Sequence, residues 1–218
     1  MKATADGFAD VLRLRTAQQH RLAERSGVVH DILVGQVHRG AYALLLRNLM
    51  PAYRALEVGL DVHRARTGSA GVGALHRAAL LRVPALERDL GALAGAGWAE
   101  VLPLLPEGER YASRVAIAAD GDGERLIAHA YARYLGDLAG GRVLGRRLAA
   151  TLGLDASALS FYAFSGIDDV PAFARAYRST IDALGASLSD PEPVIEEAEL
   201  AFTLNIDVSE AVARGAVR

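Results

Sequence analysis

Apolar positions recur at steps of three and four residues along most of the chain, which is the spacing of amphipathic helices. The first apolar stripe begins at Phe8, Val11 and Leu12 and predicts a helix from Phe8 to about Arg25, with Asp6 as its N-cap. No stretch of the sequence alternates with the period of two that a half-buried strand requires. We therefore predict an all-α protein.

Glycine and proline residues divide the rest of the chain. The predicted segments are an apolar piece at 28–34, a helix at 39–60 kinked at Pro51, a loop at 68–73, apolar pieces at 75–90 and from about Glu109, the longest helix at 124–152, an aromatic loop at 161–168, and helices at 171–184 and 190–213. No repeat or linker interrupts this order. We expect one domain over residues 1–218, built as an orthogonally packed helical bundle.

Composition excludes several classes of function. With 218 residues, 51% of them hydrophobic, the chain can bury a substantial core. Its net charge of −2 comes without a polybasic block, so we expect neither nucleic acid nor an anionic membrane as partner. The chain contains no cysteine, which rules out disulfides and iron–sulfur clusters and suits the cytoplasm, where we expect the protein. No apolar run reaches the roughly 18 residues of a membrane span.

The first anomaly is a glycine cluster, Gly136-Asp-Leu-Ala-Gly140-Gly141, inside the longest predicted helix. Each glycine there costs roughly 1 kcal/mol relative to alanine, so an interaction should compensate. Gly136 and Gly140 are four residues apart and share one face, where a partner can approach the bare backbone. A flat ligand and a tightly packed neighbouring helix both satisfy this pattern.

Titratable residues accompany the glycines. His129, Arg133 and Asp137 follow one another at four-residue steps and are expected on one helix face. Asp137 could order water over a ligand. Alternatively, Arg133 and Asp137 form an exposed ion pair without a functional role.

His20 is the candidate metal ligand. It stands at the edge of the first apolar stripe, one turn before Glu24. That carboxylate can accept the proton of one ring nitrogen and leave the other nitrogen neutral for a metal. A single helical histidine is more often not a ligand. The remaining histidines outside the glycine region lack supporting neighbours and are expected at the surface: His30, His38, His63 and His76.

Four segments, in order, resemble the haem oxygenase family in its soluble bacterial form, and the resemblance extends from Leu12 to about Val212. The most specific segment, AHAYARYLGDLAGG at 128–141, resembles the distal helix of the family. The segment RTAQQH at 15–20, followed by Ala23-Glu24, is similar to its proximal helix, and the segments 42–57 and 201–206 also match. The resemblance implies a helical domain that holds haem between a proximal helix and a kinked distal helix.

The resemblance also implies roles for residues. His20 would bind the haem iron with Glu24 as its partner, and the backbone at Gly136, Gly140 and Gly141 would lie against the haem. In the family, the residue matching Asp137 anchors a distal water network that supplies protons for the activation of dioxygen. The other residues implied in that network are Tyr53, Arg133 and Asn205.

Tyr177 and Arg178 would bind a haem propionate. Ala17 and Ala174 replace lysines that other members use for the propionates, a loss that Arg13 would partly cover. Tyr131 and Phe202 complete the implied haem contacts. Ala139 replaces a serine that is common in the glycine signature, and the biliverdin isomer produced stays open.

The implied activity is oxidative cleavage of haem, which is both cofactor and substrate, to biliverdin, free ferrous iron and carbon monoxide. Because the glycine cluster follows no strand, it is not a flavin or nicotinamide site, and electrons are expected from a separate ferredoxin or NAD(P)H-dependent reductase. The alternatives are a haem- or bilin-binding protein of the same fold without turnover, and a helical interaction protein that ignores haem.

Overall fold

A computed structural model describes residues 7–216, and within them every regular element is helical. Asp6, the expected N-cap, lies outside the described residues. The α-helices are α1 (Phe8–Arg15), α2 (Ala17–Ala23), α3 (Gly27–Val34), α4 (Arg39–Thr67), α5 (Val83–Ala94), α6 (Trp98–Val101), α7 (Pro106–Ala118), α8 (Leu126–Ala130), α9 (Gly136–Leu152), α10 (Val170–Ser187) and α11 (Glu192–Ala216). Short 3₁₀ helices span Gly71–Leu75, Ala78–Leu80, Ala156–Ala158 and Ser160–Tyr162, and a π-helix spans Tyr131–Leu135. The all-α prediction is confirmed.

The first predicted helix is divided at Thr16. The Thr16 hydroxyl donates to the carbonyl of Leu12 at 2.8 Å, a side-chain contact that bends helices. The backbone ladder continues across the bend, because the N–H of His20 donates to the Thr16 carbonyl at 2.9 Å. α1 buries Phe8, Ala9 and Leu12, whereas α2 buries none of its residues. The bend therefore carries His20 away from the core.

α4 is the central helix of the bundle. It has 29 residues, passes through Pro51 and extends beyond the expected end at Leu60. The prediction that 124–152 holds the longest helix was therefore wrong. His63, expected at the surface, is buried in the added turns, where its Nε2 lies 2.9 Å from the carbonyl of Ala119. This polar anchor, which the apolar pattern does not reveal, accounts for the longer helix.

The distal segment contains an irregularity that the sequence did not predict. Between α8 and α9, Tyr131–Leu135 forms the π-helix. α9 then ends at Leu152, where Gly153 caps it in the left-handed conformation. A π turn inserts an extra residue and rotates the faces on either side relative to each other. The regular four-residue spacing predicts that His129 and Asp137 share one helix face. Because of the π-helix, they lie in different environments.

One continuous apolar core connects the helices, with contributions from both ends of the chain. Its largest fully buried side chains include five tyrosines: Tyr42, Tyr53, Tyr111, Tyr134 and Tyr177. Phenol hydroxyls seek hydrogen-bond partners when buried, so this core contains polar positions as well as apolar ones. No helix within residues 7–216 has the length and apolar character needed to cross a membrane.

Candidate functional site

A cavity lies between the bent N-terminal helices and the distal helix. α2 and α11 contribute to one wall, and the π-helix and α9 form another. The predicted site residues that line this cavity are His20, Glu24, Tyr53, Arg133, Gly136, Asp137, Gly140, Gly141, Phe202 and Asn205. Four segments far apart in sequence therefore meet where the resemblance implied a haem site.

The imidazole of His20 stands at one wall with few contacts. Its Nδ1 lies 3.7 Å from Oε1 of Glu24, and the two side chains are 57% and 55% exposed. That separation is too long for a direct hydrogen bond but allows a weak electrostatic contact or a bridging water. The ring of Phe202 packs beside the imidazole at 5.8 Å between centroids. Among the described residues no group of three or more carboxylate and imidazole side chains could hold a metal ion, so His20 is not part of such a cluster.

The glycines of the opposite wall fall into two kinds. A Cβ atom built at Gly136 or Gly140 would meet no other atom within 4 Å, so no neighbouring helix is seated on these two residues. A Cβ at Gly141 would lie 3.1 Å from the ring of Tyr162. Gly136 and Gly140 therefore leave bare backbone facing open space, while Gly141 also allows the aromatic loop to pack closely.

Asp137 is buried at the edge of this wall and is 8% exposed. The hydroxyl of Tyr53, a fully buried residue of α4, donates to its Oδ2 at 2.5 Å. Burial raises the pKa of the Asp137 carboxyl to about 6, although the guanidinium of Arg133 and the Tyr53 hydrogen bond oppose the rise. A carboxyl group in this state can hold and release a proton near neutral pH.

Arg133 is held by a different helix. It donates to Oδ1 of Asn205 on α11 at 2.7 Å, and its guanidinium lies over the Tyr53 ring at 5.6 Å. Burial alone would lower the pKa of Arg133, but the phenols of Tyr53 and Tyr111 keep it above its usual value. The interpretation of Arg133 and Asp137 as an exposed ion pair is therefore wrong.

His129 belongs to a separate buried cluster. Its Nε2 lies 2.8 Å from Oε1 of Glu197, which Arg114 also contacts. Burial works against the charge of Glu197, but hydrogen bonds from His129 and Arg114 keep its pKa below the usual range. The structure thus separates His129 from the cavity that Asp137 lines.

The expected propionate residues, Arg13, Tyr177 and Arg178, do not line the cavity, and neither does Tyr131. Two of the propionate residues, Arg13 and Arg178, contact Asp10. Nε of Arg13 and Nη1 of Arg178 lie 3.0 and 3.3 Å from Oδ1 of Asp10. Tyr131 is largely buried beside Thr16. Tyr177 is fully buried and donates to the carbonyl of Leu75 at 3.1 Å, so its hydroxyl is directed into the core and cannot bind a propionate. The expectation for Tyr177 is contradicted.

Several wall residues were not among the predicted site residues. Leu45 and Leu49 of α4, together with Phe161 and Tyr162 of the 3₁₀ turn, also line the cavity. The aromatic loop was recognisable in the sequence, but the face of α4 turned to the cavity was not, because apolar residues occupy nearly all of its positions between 41 and 53.

Comparison with known proteins extends over nearly the whole chain. The family model described as Heme oxygenase matches residues 6–211. The chain belongs to the haem oxygenase family. Heme oxygenase 1 of Nostoc sp. (strain PCC 7120) is 34% identical over 203 residues, which cover 93% of this chain and 84% of that protein. Human heme oxygenase 1 is 36% identical over 208 residues, which cover 93% of this chain and 70% of that protein.

Solved haem oxygenase structures share the fold. Heme oxygenase-1 from Synechocystis sp. PCC6803 in complex with heme superimposes with a TM-score of 0.89 at 31% identity, covering 96% of this chain and 93% of that one. Heme oxygenase from Leptospira interrogans gives a TM-score of 0.85 at 28% identity, covering 93% and 98%. The predicted bundle is confirmed. The residues present fit a flat, iron-containing ligand, because an accessible imidazole and a bare glycine backbone line the same cavity.

Proposed function

We propose that this haem oxygenase binds its substrate in the cavity with His20 as iron ligand, and cleaves it to biliverdin, ferrous iron and carbon monoxide. The observation that carries the assignment to this cavity is the open backbone at Gly136 and Gly140 beside the buried carboxyl of Asp137. A planar ring can lie on bare backbone there. The carboxyl group is then within the same cavity as the ring edge.

The residues at the proximal wall bind and orient. Glu24 would accept the Nδ1 proton of His20 through a bridging water and leave Nε2 for the iron. Phe202 limits rotation of the imidazole through its ring contact. When bound, haem supplies the iron that activates dioxygen and the ring carbon that is attacked. Burial of its apolar macrocycle supplies much of the affinity.

The residues at the distal wall handle protons. Tyr53 holds Oδ2 of Asp137, which leaves Oδ1 available to water in the cavity. Arg133 and Asn205 hold each other by a hydrogen bond of 2.7 Å and can order the same water. With its pKa raised to about 6, Asp137 can pass a proton to that water and recover it at neutral pH.

The electrons come from a separate ferredoxin or NAD(P)H-dependent reductase. This part of the proposal rests on the sequence, in which no strand–turn–helix dinucleotide motif is found. One domain over residues 1–218 and a cytoplasmic location remain predictions. The former is supported by the single core, and the latter by a chain without cysteine.

Haem titration followed by turnover tests the function. Haemin added to the purified chain should give a Soret band with one equivalent bound. Reductase, ferredoxin, NADPH and dioxygen should then yield biliverdin and carbon monoxide, with catalase present to remove free peroxide. Stable haem binding without biliverdin would favour a haem- or bilin-binding protein. A chain that stays colourless would favour the interaction protein.

A further inference from the structure

Arg82 is an almost fully buried arginine that the proposed mechanism does not use. It is 6% exposed, and its guanidinium donates to four backbone carbonyls rather than to a carboxylate. The acceptors are Leu80, Ala79, Phe161 and Ala163, at 3.2, 3.2, 3.2 and 3.1 Å. A buried guanidinium is costly unless it is fully hydrogen-bonded, so these contacts should be kept in the native state. Through Phe161 and Ala163 they bind the aromatic loop to the start of α5.

Asp89, two turns further along α5, holds the other side of the same loop. Its carboxylate is fully buried and accepts from the N–H groups of Ser160 and Phe161, at 2.7 and 2.8 Å. The backbone of Phe161 is thus held at its N–H by Asp89 and at its carbonyl by Arg82. Hydrogen bonds to charged groups are stronger than neutral ones, so the loop is fixed at two points.

The start of α5 is in turn fixed to α4. Oε1 of Glu57 accepts from the N–H groups of Arg82 and Val83, at 2.5 and 3.1 Å. Glu57 follows Tyr53 by one helical turn. The ring of Phe161 packs edge-on against the ring of Tyr53, with 5.4 Å between centroids. A continuous set of contacts therefore runs from Glu57 on α4, through the start of α5 and the aromatic loop, back to Tyr53 on α4.

We propose that Arg82 and Asp89 are positioning residues that hold Phe161 against Tyr53 and thereby keep the Tyr53 hydroxyl on Asp137. The hydroxyl bond fixes only the tip of the Tyr53 side chain. The ring packs against Tyr134, at 6.4 Å between centroids, and edge-on against the fixed Phe161, and both contacts limit its rotation. Tyr162, adjacent in the loop, lines the cavity directly. The consequence for turnover rests on the function proposed above.

The charge of Arg82 also acts on Asp137 without contact. The groups that act on this carboxyl are Arg133, Tyr53 and Arg82. Its charge in turn raises the pKa of three neighbouring phenols: Tyr111 of α7, Tyr134 of the π-helix and Tyr162 of the aromatic loop. Burial raises the pKa of Asp137, and Arg133 and Arg82 both lower it. Removal of the Arg82 charge should therefore raise that pKa further above 6.

The test begins with the haem-free chain, so that it does not depend on turnover. Arg82→Met removes the charge and the hydrogen bonds to four carbonyls, whereas Arg82→Lys keeps the charge but cannot reach all four. Asp89→Asn weakens the hydrogen bonds from the N–H groups of Ser160 and Phe161. Arg66→Met, which removes an exposed arginine near the end of α4, is the matched control. Hydrogen exchange at the Phe161 amide should accelerate at least about tenfold in the first three variants and stay unchanged in the control.

The titration of Asp137, followed by carbon NMR, separates the two effects. Its pKa should rise in Arg82→Met and change less in Arg82→Lys, because the lysine keeps the positive charge. An unchanged Phe161 exchange rate and an unchanged Asp137 titration in every variant would overturn the proposal. Both readouts stay informative if the chain proves not to produce biliverdin.

Turnover then tests the link to Tyr53. Haem affinity should stay within about threefold of wild type in Arg82→Lys and Asp89→Asn, while kcat falls roughly tenfold, a barrier change of about 1.4 kcal/mol. A loop that loosens while kcat is preserved would show that Arg82 and Asp89 stabilise the fold only. If Arg82→Met does not fold, Arg82→Lys and Asp89→Asn carry the same decision.

Discussion

The two walls of the cavity are built in opposite ways. On the proximal wall, α2 buries none of its residues, and His20 and Glu24 are more than half exposed. On the distal wall, Asp137 and Tyr53 are buried and joined at 2.5 Å, and Arg133 is bonded to Asn205. The distal side chains are organised before a ligand arrives, whereas on the proximal wall His20 is held only by the backbone of α2, the ring of Phe202 and a weak contact with Glu24.

The difference suggests where each wall obtains its stability. Burial of the Asp137 carboxyl group costs free energy, so the distal wall lowers the free energy of unfolding of the haem-free chain. The proximal wall costs the fold little and gains its order from whatever binds to His20, because a ligand that binds only the native state stabilises it. Substitution of the key residue on either wall should therefore lower activity, but only on the distal wall should it also change the stability of the haem-free chain.

The largest effect is expected from His20→Ala on the proximal wall. The free energy of unfolding of the haem-free chain should change by less than about 0.5 kcal/mol, since the side chain is exposed. Biliverdin formation should nearly vanish because the iron loses its imidazole, and added imidazole should partly restore it. His30→Ala, at another exposed histidine, is the control. An unchanged histidine-ligated Soret spectrum in His20→Ala would refute the assignment.

Asp137→Asn, on the distal wall, should lower turnover and also change the stability of the haem-free chain. Turnover should fall about 10²-fold or more, as for loss of a general acid–base group, with haem affinity near normal. The haem-free variant should be more stable than wild type at pH 7, because it removes a buried charge. Both quantities come from the same preparation, by assay and by denaturant unfolding.

The pH dependence of the free energy of unfolding tests the expected stability gain of Asp137→Asn. The folded-state pKa of Asp137 is about 6, above the 3.8 of an ordinary aspartate, so the native state binds the proton more tightly than the unfolded state. Wild type therefore loses stability relative to Asp137→Asn as pH rises from about 4 to 6, and the difference then levels off. Roughly two pKa units correspond to about 3 kcal/mol. A difference that does not depend on pH would contradict the raised pKa.

The same contrast explains what the sequence could predict. His20 with Glu24, and the glycines with Asp137, are local patterns one turn apart, and the structure brings all of them to the cavity. The register beyond the π-helix is not encoded in regular spacing, so His129 was misplaced. The contact of Arg82 with Phe161 spans 79 residues, and no local pattern reveals it. The prediction that Tyr177 binds a propionate was wrong for a related reason. The direction of its hydroxyl depends on packing against the Gly71–Leu75 turn, which is distant in sequence.

Arg178→Glu addresses how the ring is rotated within the cavity. If Arg178 grips a propionate with two parallel hydrogen bonds, the reversed charge should alter the ratio of biliverdin isomers more than it alters haem affinity. Chromatography of the products from both proteins measures this ratio. Arg175→Glu, on the same helix and exposed, is the control for charge alone. Identical isomer ratios would remove Arg178 from haem orientation.

The smallest effect should come from Asp10, which holds both Arg13 and Arg178 in the structure. If these arginines bind the haem propionates, the Asp10 carboxylate competes for the same guanidinium groups. Asp10→Asn should therefore free both arginines and tighten haem binding by up to about fivefold, the range of an exposed ion pair of 0.2–1 kcal/mol. High salt should diminish the gain, because these groups are partly exposed and screened. Asp61→Asn breaks an exposed ion pair with Arg64 that has no part in the cavity lining, and should leave haem binding unchanged. Weaker binding by Asp10→Asn would instead mean that Asp10 holds the two arginines in the orientation that the propionates need.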